Sequence, residues 1–212
     1  MQKMTYALEP GGPKRLEVSW NAMWKDFTVK VDDRVVGRAS GPKELREGKQ
    51  FRLKDGSTLN IRLRNKLSGV ELEILRDGQP LPGTSADPTT RLKNAYGIVF
   101  FISVLNTVLG MASVLFPASF WQTVGIGVPS IVFGLLFLIL GLLVKRKSQV
   151  ALWIAIAVFA LDGLLGFFFM MMEGVTPSAG GILARILLVI PMIQGIPAIR
   201  ALKQRETNAT SI

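Results

Sequence analysis

Four apolar runs, nearly free of charge, fill the chain between Asn94 and Arg200. Each is about as long as a helix that crosses a hydrocarbon layer of roughly 30 Å, about 20 residues at ~1.5 Å rise. The half before them, Met1 to Pro88, is polar and patterned as short strands. The expected fold class is therefore a membrane protein with an N-terminal antiparallel β-sandwich followed by a four-helix transmembrane bundle. The boundaries read as a sandwich over 1–79, a proline-rich linker over 80–93, a bundle over 94–200 and a disordered tail over 201–212. The four spans fall at about 95–115, 123–144, 150–172 and 178–199. Met1 to Arg15 has no apolar core of the kind a signal peptide needs, so export of the first half by a cleavable signal is not expected.

The net charge of +10 has to be divided before it is used. Residues 1–88 hold 16 Lys and Arg against 12 Asp and Glu, an excess of only four. The remaining excess lies beside the helices: Arg91 and Lys93, Lys145-Arg146-Lys147, and Arg200, Lys203 and Arg205. The break Pro117 to Gln122 has no charge, and Glu173 to Pro177 has one acid and no base. Basic flanks stay on the cytoplasmic side, so both termini and the 145–147 loop are expected in the cytoplasm. Tyr96 and Trp153 then sit near the inner interface, and Phe120 and Trp121 near the outer one. No basic face with aromatic support is present, so a nucleic-acid partner is not expected.

Missing residue types exclude much chemistry. The chain has neither cysteine nor histidine. Disulfides, thiolate metal sites, cysteine nucleophiles and Ser-His hydrolysis are thereby excluded, as are the usual zinc and haem ligands. An intramembrane aspartyl protease needs two carboxylates in the helices, and the runs hold one, Asp162. Catalytic residues, cofactors and metals are therefore all expected to be absent.

Four polar residues interrupt the apolar runs: Asn106, Asp162, Arg185 and Gln194. A charge at the bilayer centre costs on the order of 3 kcal/mol on insertion scales, so such residues are candidate sites by default. Asp162 and Arg185 lie on consecutive helices, which a short connection makes antiparallel neighbours. Two readings follow: a neutral pair that sets helix register, or a polar site in a permeation path or ligand pocket. A third has Arg185 snorkelling outward while Asp162 faces a subunit seam. Small residues recur at helix-contact spacing, at Gly134 and Gly141, Ala151 and Ala155, and Gly163 and Gly166. They suit close packing inside the bundle or a homo-oligomer seam. Pro191 and the segment Gln194-Gly195-Ile196-Pro197 are expected to break the fourth helix.

Strands are expected at Met4–Leu8, Leu16–Trp20, Phe27–Val31, Val35–Ala39, Gln50–Leu53, Thr58–Arg64, Val70–Arg76 and Gln79–Leu81. Asp32-Asp33, Asp55-Gly56 and Asp77-Gly78 stand where hairpin turns belong, and Asp-Gly suits the type I′ turn. Trp20 and Trp24 are either core residues or an aromatic contact for a partner or lipid headgroups. The row Arg62, Arg64 and Lys66 is a solvated strand face, or one that rests on anionic lipid.

Between Leu16 and Leu63 the runs LEVSW, WKDFTVKVDDRVVGR and KELREGKQFRLKDGSTLNIRL are similar to the β-sandwich of the Fas apoptotic inhibitory molecule family. Domains of that family carry a strand, a "hxVxVDGK" hairpin and later strands in similar order. Here Thr28 to Arg34 stands in for the hairpin, with Asp33 where glycine is usual. The resemblance spans less than a quarter of the chain and does not touch the helices. It implies an interaction domain without catalytic activity.

The expected function is a membrane-anchored, non-enzymatic interaction or regulatory protein. Its partners are the lipid bilayer, an unidentified cytoplasmic protein and a second copy of the chain. The alternative is a homo-oligomeric channel or small transporter with a polar intramembrane site.

Overall fold

The structure, a computed structural model, describes residues 1–66, 69–116, 121, 126–172, 174 and 179–210. The chain divides into two compact units, Met1–Thr90 and Arg91–Ile212.

The first unit holds two four-stranded antiparallel sheets. One contains β1 (Gln2–Tyr6), β2 (Leu16–Trp20), β3 (Phe27–Val31) and β4 (Arg34–Ala39) in chain order. The other contains β5 (Lys49–Arg52), β6 (Thr58–Lys66), β7 (Gly69–Arg76) and β8 (Gln79–Pro80), also in chain order. All eight expected strands are present, within two residues at each end. Period-two patterning decides which side each residue takes. On β6, Leu59, Ile61 and Leu63 are buried, while Asn60, Arg62 and Arg64 take the other face. These apolar residues join Leu16, Val18, Phe27 and Val29 of the first sheet in one hydrophobic core.

Turn chemistry separates the three aspartate turns. Asp32-Asp33 and Asp77-Gly78 are two-residue loops with both residues at positive φ, as type I′ requires. The turn at Asp55-Gly56 is different. Gly56 alone has positive φ (85°), and the Leu53 N–H bonds the Ser57 carbonyl at 2.8 Å while the Gly56 N–H bonds the Leu53 carbonyl at 3.1 Å. That is a three-residue loop closed by a left-handed glycine, so the type I′ expectation fails there. Loop length decides it: beyond the Arg52–Thr58 pair the Leu53–Ser57 bond closes the hairpin, leaving three residues between them rather than two.

Two features join the sheets. A register shift on β4 leaves Val36 between the paired Val35 and Gly37, and a Cβ at Gly37 would lie 2.3 Å from the Phe51 ring on β5. Only glycine admits that ring. A short helix, α1 (Pro42–Glu47), buries Leu45 completely and was not expected from the sequence. Pro42 starts it, and the Glu44 carboxylate accepts the Ser40 N–H at 2.8 Å. Arg76 then ties distant loops together, with Nη1 donating to the Leu8 carbonyl at 3.1 Å and Nη2 to Asp55 at 2.8 Å.

The segment expected as a linker is largely folded. Leu81 is buried in the β core, and Thr84 donates its hydroxyl to the Leu81 carbonyl at 2.7 Å. Asp87 then caps a helix: its carboxylate accepts the Thr89 N–H at 3.1 Å, the Thr90 hydroxyl at 3.2 Å and the Gly83 N–H at 3.1 Å. With Pro88 in the first turn, α2 (Pro88–Leu115) starts seven residues earlier than expected.

Among the described residues the other long helices are α3 (Val128–Lys145), α4 (Gln149–Met172) and α5 (Ala179–Thr210). All four from α2 onward are long and apolar enough to cross a membrane. Their outward sides leave Val104, Val108, Val132, Ile139 and Leu164 exposed, a surface suited to hydrocarbon rather than water. The inner sides share one core that includes Val99, Phe137, Leu152, Met192 and Ile199. The expected starts at Thr123 and Ser178, and the outer-belt Phe120, lie outside the described residues.

Two expectations about α5 are corrected. The helix runs unbroken through Pro191 and Pro197, although each proline withholds one N–H from the ladder. Met192, Ile196 and Ile199 pack this stretch into the core, and that burial holds the helix together. The tail expected to be disordered is helical to Thr210. Lys147 forms an ion pair with Glu206, and the Thr207 hydroxyl donates to the Lys203 carbonyl at 3.1 Å.

Candidate functional site

Three of the four intramembrane polar residues divide into two kinds of arrangement. Asn106 serves its own helix: Nδ2 donates to the Ile102 carbonyl at 2.9 Å, one turn back. Asp162 of α4 and Arg185 of α5 meet across the helix pair, with Arg185 Nη1 donating to Asp162 Oδ2 at 3.0 Å. The guanidinium also lies over the Phe159 ring, 5.7 Å from its centroid. Gly163 makes room for it, because a Cβ there would stand 2.7 Å from Nη1. Each partner keeps nearly half of its side chain exposed, 45% for Asp162 and 44% for Arg185.

Gln194 is half-buried beside Gly195, whose missing Cβ lets Ala95 of α2 and Leu152 of α4 approach. It is not brought to the Asp162–Arg185 pair: nine residues of helix separate Gln194 from Arg185, ~13 Å of rise. The four candidates are therefore not one constellation.

Helix contacts use the small residues that the sequence pointed to. A Cβ at Gly134 would lie 2.1 Å from Thr107 Oγ1 and 2.9 Å from the Ser103 carbonyl, and one at Gly141 would meet the Phe100 ring at 2.9 Å. Both glycines thus face α2 of the same chain, and Ala151 and Ala155 are buried in the same core. Sequence reading missed Ser103, which is buried and donates its hydroxyl to the Gly134 carbonyl at 2.7 Å. A lone serine in an apolar run four residues from Thr107 was the available signal. It also missed Phe159, which carries no mark in the sequence that separates it from other core aromatics.

In the β unit, Trp20 is 3% exposed and stacks on Trp24 with ring centroids 4.5 Å apart. Trp20 is a core residue, and Trp24 is half-buried against it. The exposed member of this turn is Met23, at 79%. Met23, Trp24 and Asp26 all have positive φ, a strained conformation for residues other than glycine. The turn, with Met1 and Gln2, lines an open hollow of about 450 Å³. Arg62 and Arg64 both pair with Glu73 on the neighbouring strand, Arg64 at 3.1 Å, so neither guanidinium is an isolated charge.

Among the described residues no group of three or more carboxylates is placed to hold a metal ion. No family model, curated protein or solved structure matches the chain. The resemblance over Leu16 to Leu63 rests on its own residues.

Proposed function

We propose that this chain is a membrane-anchored, non-enzymatic interaction or regulatory protein. The two sheets of residues 1–79 stack as a β-sandwich on the cytoplasmic side and bind a protein partner, and the four helices fix that domain at the bilayer. The observation that supports this most is the apolar interior of the bundle. Phe137, Leu152, Met192 and Ile199 fill the interior, Asn106 and Ser103 bond helix backbone, and Asp162 neutralises Arg185. A bundle so arranged has the character of an anchor. The strained Met23–Trp24 turn is the best-suited contact surface for the partner, because it holds an exposed apolar side chain in a fixed conformation.

The half-exposed Asp162–Arg185 pair favours a second reading, a homo-oligomeric channel or small transporter. Ion flux into proteoliposomes separates the two. The anchor reading expects no flux of any common ion above that of empty vesicles. Flux that Asp162→Asn changes, in protein that stays folded, would replace it with the channel reading.

A further inference from the structure

We propose that the outer halves of α4 and α5 form a twofold seam with a second copy of this chain, in which Asp162 meets the partner's Arg185. The inference rests on the reading of α2 to α5 as membrane spans. Asp162 stands 13 residues beyond Gln149, and Arg185 stands 15 before Arg200, which places both ~20 Å from the basic end of the bundle. That is deep in a hydrocarbon layer of roughly 30 Å.

Charges at such depth almost always face a bundle interior or a cavity. This pair does neither within one copy, since both side chains remain nearly half exposed. Among the described residues Arg185 makes no hydrogen bond besides the one to Asp162 Oδ2, so most of its five donors and the second carboxylate oxygen stay open. Hydrocarbon can cover the neighbouring Leu161, Leu165, Ile182 and Ile186, all exposed, but it cannot satisfy a guanidinium. The bundle core does not reach this region: no residue from Ala160 to Phe168 or from Gly180 to Leu187 is buried.

Charge complementarity selects a second copy as the occupant. An acid and a base lie side by side at one depth on adjacent helices. A twofold axis along the membrane normal keeps depth and exchanges left with right on facing surfaces. Asp162 then stands opposite the partner's Arg185, and the four charges alternate in sign. Like-charged neighbours do not arise, and each guanidinium gains the open oxygen of the partner's carboxylate as a further acceptor. The glycines at 134 and 141 cannot supply such a seam, because α2 already occupies them.

The test is subunit counting on the full chain, reconstituted at low density in phosphatidylcholine vesicles after alkaline extraction has shown that it is integrated. Release by alkali would overturn the membrane-span reading itself, whereas integrated monomers overturn only the seam. Wild-type protein is expected to count as dimers. Asp162→Arg and Arg185→Asp each set like charges on the seam and should lower the dimer population about tenfold, the worth of one intramembrane polar contact. Reconstituting the two variants together should restore pairs containing one of each, since two arginines then face two aspartates. Absence of mixed pairs in integrated variants would overturn the proposal. Should the charge variants fail to fold, Leu165→Cys gives a milder probe in a chain without native cysteine. A bifunctional maleimide should cross-link it, and should not cross-link Val132→Cys on α3. Equal cross-linking at both positions, or none at 165, would overturn the seam.

Discussion

Asp55 shows how single carboxylates hold the β unit together. Its Oδ1 accepts the Ser57 hydroxyl at 2.6 Å and the Ser57 N–H at 2.9 Å, and its Oδ2 meets Arg76. The Ser57 bonds, followed by Arg76, hold its carboxyl below the usual range. The guanidinium of Arg15 does the same for Asp32, and Lys49 with the Ser40 N–H does so for Glu44. A carboxylate with a lowered folded-state pKa contributes stability that is present above its unfolded pKa, about 4, and is lost as pH falls through the folded value. Stability of the β unit should therefore be level near neutrality and decline below pH about 4. Urea unfolding of the full chain in detergent, followed by tryptophan fluorescence across that range, checks this. Asp55→Asn should flatten part of the acid decline, and an unchanged profile would mean that Asp55 does not contribute. Asp55-Gly56 also marks a limit of sequence reading. The dipeptide signals a turn, but strand pairing on either side sets the loop length and hence its type.

At the scale of elements, the contact between α2 and α3 is made by absence of side chains. Gly134 lies against the backbone of Ser103 and Thr107, which cannot give way as a flexible side chain could. Gly134→Val should cost about 1–3 kcal/mol through overpacking. Gly97→Ala on α2 meets nothing within 4 Å and should be neutral or stabilising by up to about 1 kcal/mol. Thermal denaturation of both variants in detergent tests the contact, and equal melting temperatures would dismiss it. The spacing of Gly134 and Gly141 was visible in the sequence, but whether α2 or a second copy filled it was not. The start of α2 was visible too, in Asp87-Pro88, and was passed over because the flanking prolines read as a tether. α1 was missed for a different reason. Six residues carry too little periodicity to declare a helix, and burial of Leu45 decides it.

For the whole molecule, the charge pattern sets an expected orientation. Basic residues lie in the first two turns of α2 (Arg91 and Lys93), in the 145–147 loop and near the end of the last helix, and the other two breaks lack them. Absence of native cysteine makes this testable without background. Gln2→Cys and Ser148→Cys should resist a membrane-impermeant maleimide in intact cells and react once the cells are opened. Gly174→Cys should react from outside. The reverse pattern would place the β unit on the other face and remove the cytoplasmic partner from the proposal.

Residue order alone determined that four helices are long enough to span a lipid layer, and that eight short strands precede them. Hydrophobic run length and period-two alternation are local quantities, so no tertiary information was needed to read them. Tertiary structure decided which side chains meet. It buried Trp20, paired Arg62 and Arg64 with Glu73, kept α5 helical through two prolines, and left Asp162 with Arg185 half exposed together. Those outcomes depend on contacts between residues far apart in the chain, and such contacts form only when the packed elements offer one another a surface.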